Sequence, residues 1–139
     1  MYGKSVYTIL GVMKFMILDI MKCLYDKTRL RILSILFYKS GPMCVGQVEG
    51  SLRLSQPNAS RHLKRLLNDG FVIMSKKTQF VYYELNPKIL KEYDFLICLV
   101  KKNTEEMQEC TEDIKRLKDM QRVEDFKKNI NDKVTSKVD

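Results

Sequence analysis

Between Ser55 and Leu85 the chain switches from a helical to an extended hydrophobic period, and this stretch restricts the fold more than any other. Ser55 offers a side-chain oxygen to the free N–H groups that begin a helix. Pro57 comes in the first turn, where a missing N–H is harmless. Ala59, Leu63, Leu66 and Leu67 recur at i, i+4, i+7 and i+8 and make one apolar stripe. Asn68-Asp69-Gly70 ends that helix, with glycine supplying left-handed backbone. Phe71–Ser75 and Phe80–Leu85 are then rich in β-forming residues and are separated by Lys76-Lys77-Thr78-Gln79. That pattern predicts a β-hairpin over 71–85 with a basic tip.

The remainder is helical in period. Phe15, Leu18, Ile20, Met21 and Leu24 predict a helix over about 12–24. Asp26 opens the next, over about 28–39, which Ser40-Gly41-Pro42 terminates. A short helix over 45–52 places Val48 and Leu52 on one face. With the helix that Ser55 begins, it makes a helix-turn-helix over 45–69. Asn86-Pro87 breaks the second strand, and residues 88–128 read as one or two long helices. Leu90, Tyr93, Leu96, Ile97 and Val100 are apolar there, and Met107, Cys110, Ile114 and Leu117 continue near heptad spacing. The last ten residues read as frayed. The expected fold is mainly α with a small β-hairpin, a winged helix-turn-helix occupying residues 1–139 as one domain. The helical stretch 88–128 carries more apolar surface than so small a core covers, so it is expected to pack against a copy of itself.

Charge points to the partner. Lysine and arginine number 25 against 17 acids, a net +8. Residues 101–139 balance ten basic against ten acidic side chains, so the whole surplus lies in the first hundred residues. A localised basic excess suits a polyanion, either nucleic acid or a membrane surface. Val6–Leu18 is apolar but interrupted by Lys14, too short to span a bilayer and without a small-x-small cleavage site, so no membrane partner is expected. Met13 and Met16 offer alternative starts. The four cysteines show no CxxC or zinc-ribbon spacing, and the chain has one histidine. Reduced thiols in a cytoplasm are the expectation.

Within a helix-turn-helix the second helix enters the major groove. Gln56, Asn58, Ser60, Arg61, His62 and Lys64 lie off the leucine stripe, with Ser55 at its start. Amides and arginine reach adenine and guanine edges, and serine and lysine reach phosphates. Lys76, Lys77 and Gln79 at the hairpin tip complete the candidate interface with double-stranded operator DNA. Each residue alone is compatible with a solvated surface. Their coincidence with turn geometry and with five positive charges against one over 55–79 is what favours DNA. No Ser/His/Asp arrangement, carboxylate dyad or phosphate-cradling glycine loop is present, so no enzyme is expected.

Asp26-Lys27-Thr28-Arg29-Leu30-Arg31-Ile32-Leu33 resembles the opening of the second helix in the arsenic-repressor (ArsR/SmtB) family. Leu54-Ser55-Gln56-Pro57-Asn58-Ala59-Ser60-Arg61-His62-Leu63-Lys64 resembles its recognition helix. Asn68-Asp69-Gly70-Phe71-Val72 and Val81-Tyr82-Tyr83-Glu84-Leu85-Asn86-Pro87 are similar to its wing. The resemblance covers about residues 20–88. It implies a homodimer paired through the helices at 12–24 and 88–128, and a repressor that leaves its operator when an effector binds, usually a metal ion or metalloid. Metalloid-sensing members carry C-V-C before the third helix; here Met43-Cys44-Val45-Gly46-Gln47 keeps Cys44 and has Gly46 in the second place. The histidines of the zinc-type site are missing. Glu109-Cys110-Thr111-Glu112-Asp113-Ile114-Lys115-Arg116-Leu117 resembles a tail found in arsenite-responsive members. The resemblance thus implies no obligatory cofactor but As(III) or another soft metal ion as effector, held by Cys44 and Cys110 with Cys98 as a third thiolate. Two other readings stay open. A thiol pair could form a redox switch, and a winged helix without DNA binding could serve as a protein-interaction module. Cys23, on the inner face of the first helix, reads as core.

Overall fold

The computed structural model describes residues 17–138, so the part of the expected first helix from residue 12 to Met16 lies outside the described residues. Seven helices and three strands run in the order α1 (Ile17–Leu24), α2 (Lys27–Lys39), β1 (Met43–Cys44), α3 (Val45–Leu52), α4 (Gln56–Asn68), β2 (Val72–Lys77), β3 (Phe80–Leu85), α5 (Pro87–Glu92), α6 (Phe95–Glu106) and α7 (Gln108–Val138). This is a winged helix-turn-helix, as the sequence predicts.

α2 is the central post. Asp26 caps it by accepting the Arg29 amide at 2.9 Å, and Ser40 at φ 54° closes it. Ile32 through Leu36 are buried, and α1, α3, α4, α6 and α7 pack around them. The stripe of α4 faces this core: Ala59, Leu63 and Leu66 are fully enclosed. Gly70 takes φ 82°, which lets the Phe71 amide turn back onto the Leu66 carbonyl at 2.9 Å and sends the chain into the wing.

Four expectations are corrected. The sheet has three antiparallel strands in the order β1-β3-β2, because Met43 and Cys44 pair with Tyr83 and Tyr82. A two-residue strand carries too little pattern to be read locally. Lys76 and Lys77 are strand residues opposite Val81 and Phe80, which shortens the tip to Thr78 and Gln79. Beyond the wing there are three helices instead of one or two. Asn86 caps α5 through Lys88, with Pro87 in the first turn, and backbone breaks fall at Tyr93 and Met107. The last ten residues, expected to fray, continue α7 to Val138. No glycine or proline stands after Met107 to stop the helix.

Asn86 also ties the wing to the body. Its side-chain amide donates to the Gly70 carbonyl at 2.9 Å, and its backbone N–H donates to the Phe71 carbonyl at 2.9 Å. Both ends of the hairpin are therefore held at the point where α4 ends.

Candidate nucleic-acid interface

α3 ends at Arg53, whose φ of 54° turns the chain through Leu54 toward the cap at Ser55. The Leu54 amide returns to the Glu49 carbonyl at 3.1 Å, so the turn is closed by backbone bonding. Ser55 Oγ accepts the Asn58 amide at 3.4 Å and starts α4.

With Ala59, Leu63 and Leu66 buried, the opposite side of α4 faces outward. Gln56, Asn58, Arg61 and Lys64 are exposed, and Ser60 is half-buried. Two internal contacts organise that face: Gln56 Nε2 donates to Ser60 Oγ at 3.0 Å, and Arg61 donates to Asn58 Oδ1 at 3.2 Å. Arg65 is turned back by its 2.6 Å pair with Asp69. Lys76, Lys77 and Gln79 are exposed on the wing. Amide, hydroxyl and guanidinium groups on one helix face, with two lysines on an adjoining hairpin, make a surface that can donate to base edges and phosphates.

His62 does not belong to that surface. It is only 9% exposed and lies on the buried side, its Nδ1 4.0 Å from Asp26 Oδ1. The sequence expected it outward because a histidine beside Arg61 reads as polar. Its position three residues after Ala59 and four before Leu66 puts it on the stripe's flank instead. Burial lowers its pKa, Asp26 opposes that, and Arg61 and Arg29 add to it. The residues around it are held by Arg29, which donates to the Cys23 carbonyl at 2.7 Å and so joins the end of α1 to α2.

The candidate effector thiols occupy separate surroundings. Cys44 is half-buried where β1 meets α3, in a cleft of about 290 Å³ lined also by Gln47, Phe80, Tyr82 and Glu124. Its backbone N–H donates to Gln47 Oε1 at 3.0 Å. Cys98 is exposed on α6. Cys110 is fully buried on α7, where Asn103 Nδ2 lies 3.5 Å from its sulfur and 2.9 Å from Ser34 Oγ. Burial pushes the Cys110 thiol pKa up, and the Cys23 thiol, enclosed in the core near Asp69, is pushed up to about 12. Among the described residues no three Cys, His, Asp or Glu side chains gather as a metal-ligand set. A three-thiolate chelate within one protomer therefore does not fit this arrangement.

Sequence reasoning quoted one group within the tail motif and gave it no role of its own. Asp113, one of ten acids in a balanced tail, is fully buried between Arg31 and Arg116. Its place on the apolar stripe, three residues after Cys110 and four before Leu117, is the signal that could have found it.

Comparison with known proteins agrees with this architecture. The sequence profile described as "Bacterial regulatory protein, arsR family" matches residues 26–73, from the cap of α2 into β2. The arsenic resistance transcriptional regulator ArsR1 of Pseudomonas putida is 38% identical over 78 residues, covering 56% of this chain and 60% of that protein. The transcriptional repressor SdpR of Bacillus subtilis is 34% identical over 74 residues, 53% of this chain and 80% of SdpR. The structure of reduced HlyU from Vibrio cholerae superposes with a TM-score of 0.54 at 26% identity, over 66% of this chain and 87% of HlyU. The chain thus spans less than two thirds of ArsR1 but most of SdpR. No helix among the described residues is long and apolar enough to cross a membrane. With its profile match running through the whole helix-turn-helix, and with SdpR matched along four fifths of its length, the chain belongs to the arsR family of bacterial regulatory proteins.

Proposed function

We propose that this chain is a cytoplasmic, homodimeric repressor that binds operator DNA through α4 and the wing and is released by an effector that reacts with thiols. One observation carries the DNA reading. α4 fully encloses Ala59, Leu63 and Leu66 and presents Gln56, Asn58, Arg61 and Lys64 to solvent beside a wing bearing Lys76 and Lys77. A helix on show in that way, with amides and cations together, suits the major groove. Dimerisation is supported by the exposed apolar side chains of α1 and α6. Ile17, Leu18 and Met21 on the first, and Phe95, Ile97 and Leu99 on the second, stand at 38–70% exposure. Pairing through the first and later helices would cover them.

The test is binding of a labelled duplex taken from just upstream of this chain's own coding sequence, against an unrelated duplex of equal length. Arg61→Ala should weaken the specific complex by about tenfold or more, the cost of one lost base-edge contact, and leave the thermal midpoint unchanged. Wild-type protein that does not distinguish the duplexes would favour a protein-interaction role instead.

The effector reading rests on ArsR1's description as an arsenic resistance regulator and on Cys44, the thiol accessible beside the wing. Arsenite or another soft ion prefers thiolate ligands. Cys44 is the proposed contact. Cys98 is solvent-accessible, and Cys110 must first be uncovered by movement of α7. Release from DNA should be measured with arsenite, cadmium, zinc and peroxide in wild type, Cys44→Ser, Cys98→Ser and Cys110→Ser. Loss of the arsenite response in Cys44→Ser supports the assignment; a response to peroxide alone supports the redox reading; a wild-type-like arsenite response in all three mutants refutes a thiol site.

A further inference from the structure

We propose that Asp113 is a positioning residue for the recognition helix, acting through Arg31 and Arg116 on the last turn of α3. This rests on the reading that α4 faces DNA. The Asp113 carboxylate accepts Arg31 Nε at 2.8 Å and Nη2 at 2.7 Å, a two-pronged pairing, and Arg116 Nη2 at 2.6 Å. Each arginine then extends to the same place. Arg31 Nη2 donates to the Leu52 carbonyl at 2.8 Å, and Arg116 Nε donates to the Ser51 carbonyl at 2.6 Å.

Those two carbonyls belong to the C-terminal turn of α3, where helical C=O groups have no partner inside the helix and the dipole is negative. Two guanidinium groups supply both the missing donors and the matching charge. One carboxylate holds the pair together: it neutralises one positive charge, and the remaining one faces the helix end. An aspartate so deeply buried persists only when paired. Here the pairing aims both arginines at one target.

The target matters because the recognition helix begins directly after it. Arg53 turns the chain, Leu54 closes the turn, and Ser55 caps α4. Any displacement of Leu52 reaches that cap through two intervening residues. α7 also lies against α3 at Gly50, where an added Cβ would come within 2.8 Å of Met120 Cε, the flexible end of that side chain. α7 therefore meets α3 at Gly50 and holds its last turn through the Arg31–Asp113–Arg116 clamp. The same helix carries Cys110, one turn before Asp113. Movement of α7 would act directly on the helix-turn-helix.

The experiment combines hydrogen exchange with DNA binding in wild type, Asp113→Asn, Asp113→Glu and Arg116→Gln. Asparagine keeps the shape and removes the charge. Expected is faster amide exchange at residues 53–58 than in wild type, with the β2–β3 hairpin unchanged. The preference for the upstream duplex over the unrelated one should fall about tenfold, the effect of losing one base-edge contact. Asp113→Glu should restore most of both. Exchange that accelerates evenly over the whole chain, or an unaltered preference with exchange at 53–58 also unaltered, overturns the proposal. Should Asp113→Asn fail to fold, Arg116→Gln at the partly exposed edge decides by the same two measurements. If wild type lacks any duplex preference, the DNA reading fails separately, and local exchange alone decides the positioning role.

Discussion

Replacing Lys77 by alanine is expected to change the salt dependence of DNA binding by an amount that the structure sets in advance. Arg61, Lys64, Lys76 and Lys77 are the exposed cations of α4 and the wing; Arg65 is occupied by Asp69. In a homodimer they number eight. If each neutralises one phosphate, the slope of log affinity against log salt is about −7, since each displaced counterion contributes about 0.9. Lys77→Ala removes two and leaves a slope of about −5. Raising salt from about 50 to 200 mM should then weaken wild type by about 10⁴-fold and the variant by about 10³-fold, so the variant's deficit narrows by about tenfold over that range. Fluorescence anisotropy of a labelled duplex, titrated across that range of salt concentrations, measures both slopes. Parallel lines would show that the wing lysine meets no phosphate, and a wild-type slope shallower than about −3 would mean the electrostatic face is misassigned.

Asn86→Ala deprives the Gly70 carbonyl of its buried donor and α5 of its cap. An orphaned buried acceptor costs about 1–3 kcal/mol and a lost cap about 1, so urea unfolding should show a loss of about 2–4 kcal/mol; less than about 1 would mean that water replaces the side chain. Stability should also depend on pH through His62. Burial lowers its pKa in the fold below the ordinary 6.5, so the folded chain resists a proton that the unfolded chain accepts. His62 therefore contributes fully above about pH 6.5, and the contribution declines as pH falls below it. His62→Gln should flatten thermal midpoints between about pH 7 and 5, and an unchanged profile would refute the assignment. Asp26 acts lower. Although burial pushes its carboxyl up, the Arg29 amide and guanidinium prevail, and stability it supplies above 3.8 is lost as pH falls past that value. Finally, residues 122–137 are all exposed along α7. Removing 125–138 should change monomer stability by no more than about 0.5 kcal/mol; a larger loss, dependent on protein concentration, would show that a second copy covers Phe126 and Ile130.

Much of this protein is written in short-range pattern. The boundaries of α3 and α4, the Ser55 cap, the Gly70 turn and the two long strands all derive from side-chain period and turn chemistry within a dozen residues of each feature. The outward positions of Gln56, Asn58, Arg61 and Lys64 do too, since a leucine stripe on one side of a helix leaves the other side to solvent. Tertiary structure alone decided the rest. Asp113 meets Arg31 across 82 residues, and a place on the apolar stripe does not say which distant cation will pair with it. His62 sits at the edge of the stripe, where a shift of one helical position separates core from surface, and the packing of α4 beside the Asp26 cap of α2 encloses it. β1 exists only because β3 offers Met43 and Cys44 an edge. The thiols look alike in sequence, yet packing left Cys44 half-buried where β1 meets α3, Cys98 exposed on α6 and Cys110 enclosed on α7. Local pattern dictates which way a residue faces on its own element; which groups meet depends on how the elements pack, and a buried charge is stable only where that packing brings it a partner.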